Sequence, residues 1–183
     1  MSRIAKRLVQ VPQGVKFFLK DNKYHFEGPK GTVQMYSLAE MNVVVNDGVC
    51  LFEKQDSLTS ANEGSFVVNF QNCLKGVESR FSKKINLVGV GYKIIKKDDQ
   101  LEFHLGYSHP VKMIFNKERQ EKIAKEVFFD LKSPIELIVS SCDKMLLGDV
   151  CAKIASIRKY DPYKGKGVLI EGKYYARKEG KKK

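Results

Sequence analysis

At 183 residues and 43% hydrophobic composition, the chain is long enough to bury one core of ordinary size or two small ones, which excludes disorder throughout. Its 33 Lys and Arg outweigh 21 Asp and Glu for a formal charge of +12, unusual for a cytoplasmic enzyme and pointing to polyanionic partners. No apolar run approaches the roughly 18 residues of a transmembrane helix, and Cys50, Cys73, Cys142 and Cys151 show neither C-x-x-C pairs nor metal-ligand spacing with the histidines; reduced core thiols are expected.

The chain begins MSRIAKRLVQVPQG, and residues 1–20 hold Arg3, Lys6, Arg7, Lys16 and Lys20 without an acid. This is basic enough for a transit peptide, but Pro12 and Gly14 interrupt any amphipathic helix and serines are scarce. Met1 is therefore expected close to the mature start. Next comes KDNKYHFEGPKGTVQM, from Lys20: a short polar turn, an alternating strand, a glycine, and a second strand ending in methionine. VVVNDGVCLFEK (43–54) reads as two strands joined by a turn at 46–48. Within 62–79, Phe66, Phe70, Cys73, Leu74 and Val77 suggest a helix with one apolar face.

A boundary falls near 81–84, and the plan then repeats. KDDQLEFHLGYSHPVKM, from Lys97, matches the earlier segment 77 to 78 residues on. The charged stretch NKERQEKIAKE (116–126) reads equally as a short exposed helix or a loop. VFFDLKSPIELIVS (127–140) gives two strands around a turn at 132–134. Asp143 is a plausible N-cap for a second helix whose apolar stripe is Leu146, Leu147, Val150, Ile154 and Ile157. The fold class expected is α+β: two similar small domains from an internal duplication, each a mainly antiparallel sheet with a helix packed on one face, plus a basic C-terminal tail. The domains are expected at 1–82, 83–170 and, for the tail, 171–183.

Charge is concentrated at the ends. Residues 158–183 hold ten bases against Asp161, Glu171 and Glu179, while 21–157 are neutral. A neutral body with cationic ends suits phosphate, because neutralisation releases counterions. A membrane-surface helix is excluded in the tail by Pro162, Gly165, Gly167 and Gly172.

Catalytic constellations are missing from the pattern. His25 and His104 lie inside alternating strands, Asp98 and Asp99 open a hairpin, and no G-x-S-x-G is present. LVGVGYK (87–93) contains G-x-G, but no helix pattern follows to bring an N-terminus to a phosphate. Glycine within a strand serves a bulge or the close approach of another backbone, nucleic acid included, and both readings stay open. PYKGKG (162–167) lacks P-loop order, although its amides and two lysines suit a concave anion site. No catalytic residue, metal or cofactor is expected.

In the blocks MSRIAK and VPQGV, KKINLVGVGYK (83–93), LGYSHPV (105–111), RKYDPYKGKGV (158–168) and RKEGKKK, the sequence resembles the bacterial-type large-subunit ribosomal protein six family over nearly its whole length. The resemblance implies two similar α+β domains and a structural constituent of the large ribosomal subunit, not an enzyme. It implies binding of large-subunit (23S-type) rRNA, chiefly through the second domain and tail, beside the sarcin-ricin loop and the factor-binding stalk base. Neighbouring large-subunit proteins are implied partners, translation factors dock nearby, and no membrane is involved. The location implied is the ribosome, in bacterial cytoplasm or in an organelle (mitochondrial matrix or plastid stroma).

Carried over by position, the RNA-facing residues are Lys83, Lys84, Gly89, Gly91, Tyr92 and Lys93, then Ser108 and His109, then Arg158, Lys159, Tyr163, Lys164, Gly165, Lys166 and Gly167, and finally Arg177, Lys178, Lys181, Lys182 and Lys183. Cations would position RNA backbones, glycines would permit close approach, and Tyr92 or Tyr163 would stack on a base or sugar. Three departures stand out: Arg80 where glycine is common, the lysine-rich 116–126 in place of a shorter Pro/Gly loop, and Leu169 and Ile170 where Arg-Tyr is frequent. The competing readings are a free RNA-binding chaperone and an RNA-modifying enzyme.

Overall fold

The computed structural model describes residues 9–46, 48–54, 59–97, 100–114 and 126–180. The hairpin aspartates Asp98 and Asp99, nearly all of the charged 116–126 stretch, and Lys181, Lys182 and Lys183 lie outside the described residues. The chain divides into two compact units, Met1–Arg80 with Cys142–Lys144, and Phe81–Ser141 with Met145–Lys183.

In the first unit, β1 (Val9–Gln10), β6 (Val49–Lys54) and β5 (Met41–Asn46) form one antiparallel sheet, and β2 (Lys16–Lys20), β3 (Lys23–Gly28) and β4 (Gly31–Tyr36) form another. The β2–β3 hairpin turns through Asp21 and Asn22 at φ 50° and 61°, the pair of positive values that a two-residue turn matched to strand twist requires. Ser37 Oγ donates to Asn22 Oδ1 at 2.8 Å and pins this turn. Alternation puts Tyr24, Phe26 and Val33 inward against α1 (Ser60–Glu78). Phe66, Phe70, Leu74 and Val77 recur at helical spacing on the buried face of α1. Phe70 is the hub, meeting Phe26 edge-on at 4.9 Å, Phe17 at 5.2 Å and Phe52 at 5.3 Å.

The second unit repeats the plan. β8 (Lys93–Lys97), β9 (Gln100–His104) and β10 (Val111–Ile114) copy the three-stranded sheet, while β11 (Val127–Ser133), β12 (Glu136–Ser141) and β7 (Phe81–Val88) copy β5, β6 and β1. α2 (Lys144–Ile157) follows Asp143 and buries Leu147, Val150, Cys151 and Ile154. The α+β duplication is thus present, with a difference in detail: each unit carries two antiparallel sheets rather than one. Among the described residues one strand has no counterpart in the first unit. β13 (Gly167–Ile170) pairs antiparallel with the free side of β7, from Gly167 opposite Val88 to Ile170 opposite Ile85.

Candidate nucleic-acid interface

The predicted site residues of the second unit fall into three groups. The first is the turn between β7 and β8. Gly91 has φ 76° with open space around it, so the turn needs a left-handed residue there. Gly89 has a different reason to be glycine: a Cβ would lie 2.8 Å from two carbons of the Tyr92 ring. Tyr92 is only 9% exposed and belongs to the hydrophobic core, and its ring lies near Gly106 as well, where an added Cβ would stand 3.5 Å from Cε1. The expectation that Tyr92 stacks on a base therefore gives way, because its face is covered by the protein. It braces the turn 89–92 and the loop 105–110 instead. The turn is tied down further by Leu87 N–H donating to Ile135 O (2.8 Å) and Ile94 N–H to Pro134 O (2.7 Å). To solvent it offers Val90, 91% exposed, with Gly91 and Lys93.

The second group surrounds loop 105–110. Ser108 and His109 are exposed there. Tyr107 donates to Ile157 O at 2.9 Å, and the Arg158 guanidinium lies 4.9 Å over its ring. Hydrogen bonding to Tyr107, with Tyr92 nearby, pushes the Arg158 pKa further up. Arg158 is thus brought to the loop that carries Ser108 and His109, although 49 residues separate it from His109 in sequence. Tyr107 was missed by sequence reasoning. An aromatic between Gly106 and Ser108, in a loop, was the available signal.

The third group is the loop 161–167 with the chain's end. Asp161 organises it: Oδ1 accepts from Tyr163 N–H (2.9 Å) and Lys164 N–H (3.3 Å), and its carbonyl accepts from Gly165 N–H (2.8 Å). Three of the amides expected to face an anion are thereby satisfied internally. The PYKGKG loop is not a backbone cradle; it presents the side chains of Tyr163, Lys164 and Lys166, all exposed. Gly167 is buried, and a Cβ would meet Tyr160 Cα at 2.7 Å, so its smallness lets two stretches of protein backbone cross.

Residues 171–180 lack helix or strand yet lie against the second unit. Tyr175 Oη accepts from Ile170 N–H at 2.9 Å and its ring meets Tyr160 at 5.0 Å. Lys178 N–H donates to Pro162 O at 3.0 Å. Tyr163, Arg177, Lys178, Glu179 and Gly180 consequently line one open hollow of about 460 Å³.

Lys83 and Lys84 are not brought together. Adjacent strand residues face opposite ways, and Lys84 is committed to Glu136 at 2.6 Å, which raises its pKa. Lys83 is exposed on the other face, and its charge acts on Cys151. Leu169 and Ile170 are strand residues of β13, with Ile170 packed on the core.

Two of the thiols are held away from nucleophilic chemistry by burial. Burial pushes the Cys50 thiol up to about 11 and, with the Asp143 charge, Cys73 up to about 12. Among the described residues no three His, Cys, Asp or Glu gather as a metal site, and no helix is long and apolar enough to cross a membrane.

A duplicated α+β body with cations and an exposed tyrosine gathered on one loop and the segment beside it defines a basic binding protein. Comparison with known proteins agrees. The sequence profile of the family described as ribosomal protein L6 matches residues 88–170. The large ribosomal subunit protein uL6 of Chloroherpeton thalassium is 39% identical over 183 residues, covering 99% of this chain and 98% of that protein. Those of Phocaeicola vulgatus and Porphyromonas gingivalis (strain ATCC 33277) are 38% and 37% identical, with 99% of this chain and 97% and 98% of theirs covered. The chain belongs to the uL6 family of large ribosomal subunit proteins, whose role is structural and not catalytic.

Proposed function

We propose that this protein binds 23S-type rRNA through the second unit, beside the sarcin-ricin loop and the factor-binding stalk base, and so supports subunit assembly and translation. The observation that carries the reading is the gathering of Arg158, Lys159, Tyr163, Lys164, Lys166, Arg177 and Lys178 on one connected stretch of the unit. All seven are exposed, and among the described residues none of these cations is paired with a carboxylate. Clustered, unpaired cations gain most from phosphate, and an exposed tyrosine among them adds a stacking face. The turn 89–91, His109 and Lys93 extend the contact. Neighbouring proteins of the stalk base and passing translation factors are the partners that this position supplies.

Cross-link mapping on intact ribosomes tests the proposal. Cross-links from peptides 158–168 and 177–180 should fall in the rRNA around the sarcin-ricin loop. Cross-links to rRNA remote from it would refute the placement. Loss of the protein from large subunits in a high-salt wash, with retained binding to arbitrary RNA, would favour a free RNA chaperone instead.

A further inference from the structure

The surface just described lies wholly in the second unit, yet the first unit carries an exposed face with the same chemical vocabulary. Side chains alternate along β2, β3 and β4, and the members pointing away from the core form three cross-strand rows. These are Lys16, Glu27 and Thr32; Phe18, His25 and Gln34; and Lys20, Lys23 and Tyr36. Three lysines share the face with one acid, Glu27, and Asp21 adds a second carboxylate in the adjoining turn.

The aromatic groups are displayed in a way that core packing does not explain. Phe18 is 44% exposed and Tyr36 74% exposed, although the inward residues Phe17, Tyr24 and Phe26 already supply the core against Phe70. Phe18 lies flat on the His25 ring, with centroids 5.3 Å apart and planes 1° from parallel. Lys23 Nζ sits 4.8 Å over the Tyr36 ring. Phe18 and Tyr36 stand on the two outer strands, roughly 10 Å apart across the sheet, so each can take a separate base. The pinned Asp21–Asn22 turn and the aromatic core beneath hold the display in place.

We propose that the outer face of β2, β3 and β4 is a second RNA-binding surface, a platform on which two unpaired nucleotides stack on Phe18 with His25 and on Tyr36 while Lys16, Lys20 and Lys23 take the adjoining phosphates. Gln34 and Thr32 lie between and beside the rings with donors and acceptors for base edges. Antiparallel sheets that present aromatics in this way bind single strands, because every base has a π-face whereas a duplex hides it. The positive balance of the face favours a polyanion over a protein partner poor in acids. The inference goes beyond the second unit's contacts and shares none of their residues.

The experiment uses the full chain, with fluorescein-labelled octauridylate and a 12-base-pair RNA duplex as probes. Binding is measured in the wild type and in a Lys164→Ala, Lys166→Ala background, so that the second unit's contribution is separated. Phe18→Leu with Tyr36→Leu keeps apolar bulk at solvent-facing positions and removes both aromatic faces. Octauridylate affinity should fall about tenfold or more in both backgrounds, with duplex affinity unchanged. An unchanged octauridylate affinity overturns the platform, whatever the lysine background does. Photo-cross-linking of a 4-thiouridine octamer to the wild-type chain is independent of whether the variant folds. Adducts on residues 16–36 support the proposal; adducts confined to residues beyond 80 overturn it. A platform protected in intact large subunits by protein and not by RNA would also overturn it.

Discussion

Replacing Gly89 with alanine isolates what the turn between β7 and β8 is built for. The new Cβ would stand 2.8 Å from Cδ2 and Cε2 of Tyr92 and 2.9 Å from Cγ, and the ring cannot retreat freely because it is buried in the core of the second unit. Overpacking of this kind costs about 1–3 kcal/mol. At about 2–4 °C per kcal/mol for a chain of this size, the melting temperature should fall by roughly 2–12 °C. Gly91→Ala meets no neighbour within 4 Å but must hold φ at 76°, which costs an L-residue about 1–2 kcal/mol. Melting temperature alone does not separate the two causes. A double-mutant cycle does: in a Tyr92→Ala background the cost of Gly89→Ala should fall below about 0.5 kcal/mol, whereas that of Gly91→Ala should persist. The assay is calorimetry of the single and double variants alongside wild type. If Gly89→Ala is neutral, or costs as much without the Tyr92 ring as with it, the bracing role of Tyr92 is wrong and close approach of RNA becomes the better reason for glycine there.

Lys164→Ala with Lys166→Ala should leave melting nearly unchanged while the slope of log affinity for 23S-type rRNA against log salt shrinks by roughly 1–2 units; a slope change matched by Lys181→Ala, Lys182→Ala, Lys183→Ala would defeat the idea of a localised contact. Tyr175→Phe removes the acceptor for Ile170 N–H and should cost about 1 kcal/mol, read as faster limited proteolysis within 171–180. Glu102, nearly buried on β9, is held below its ordinary pKa first by hydrogen bonding to Lys97 at 2.9 Å, with Lys112 adding attraction. A depressed carboxyl pKa stabilises the fold above the unfolded value of 4.5, and that contribution is lost as pH falls through the folded value. Acid titration of Glu102→Gln should therefore show a shallower loss of stability below pH 4.5 than wild type, and parallel curves would exclude the pair as a contributor.

Elements with a strong period are legible in the sequence itself. Tyr24 and Phe26, or Leu147, Val150 and Ile154, announce a half-buried strand and an amphipathic helix because alternation and 3.6-residue spacing are local properties. Pairing is not local, which is why the division of each unit into two sheets went unread. β13 was invisible for the same reason, being four residues that become a strand only beside β7. In the site, net charge pointed to the loop and tail, but charge does not reveal commitment. Lys84 looked like any other lysine until β7–β12 pairing set it against Glu136, 52 residues away. Tyr92 and Tyr163 are both tyrosines beside glycine-containing loops; only packing separates the buried one from the exposed one. Asp161 is legible as well, since an aspartate opening D-x-x-x-G is a familiar acceptor for the turn's own amides.

The position of β13 makes one edge of β7 depend on residues that lie far later in the chain, from Gly167 opposite Val88 to Ile170 opposite Ile85. β7 is made near the middle of the chain, but its outer edge waits for residues 167–170, and Tyr175 must then arrive to fasten the segment 171–180. A nascent chain lacking this stretch carries an uncovered strand edge, the kind of backbone that pairs with other chains. It also lacks the segment bearing Arg177 and Lys178. The same residues thus close the sheet and carry part of the cationic surface.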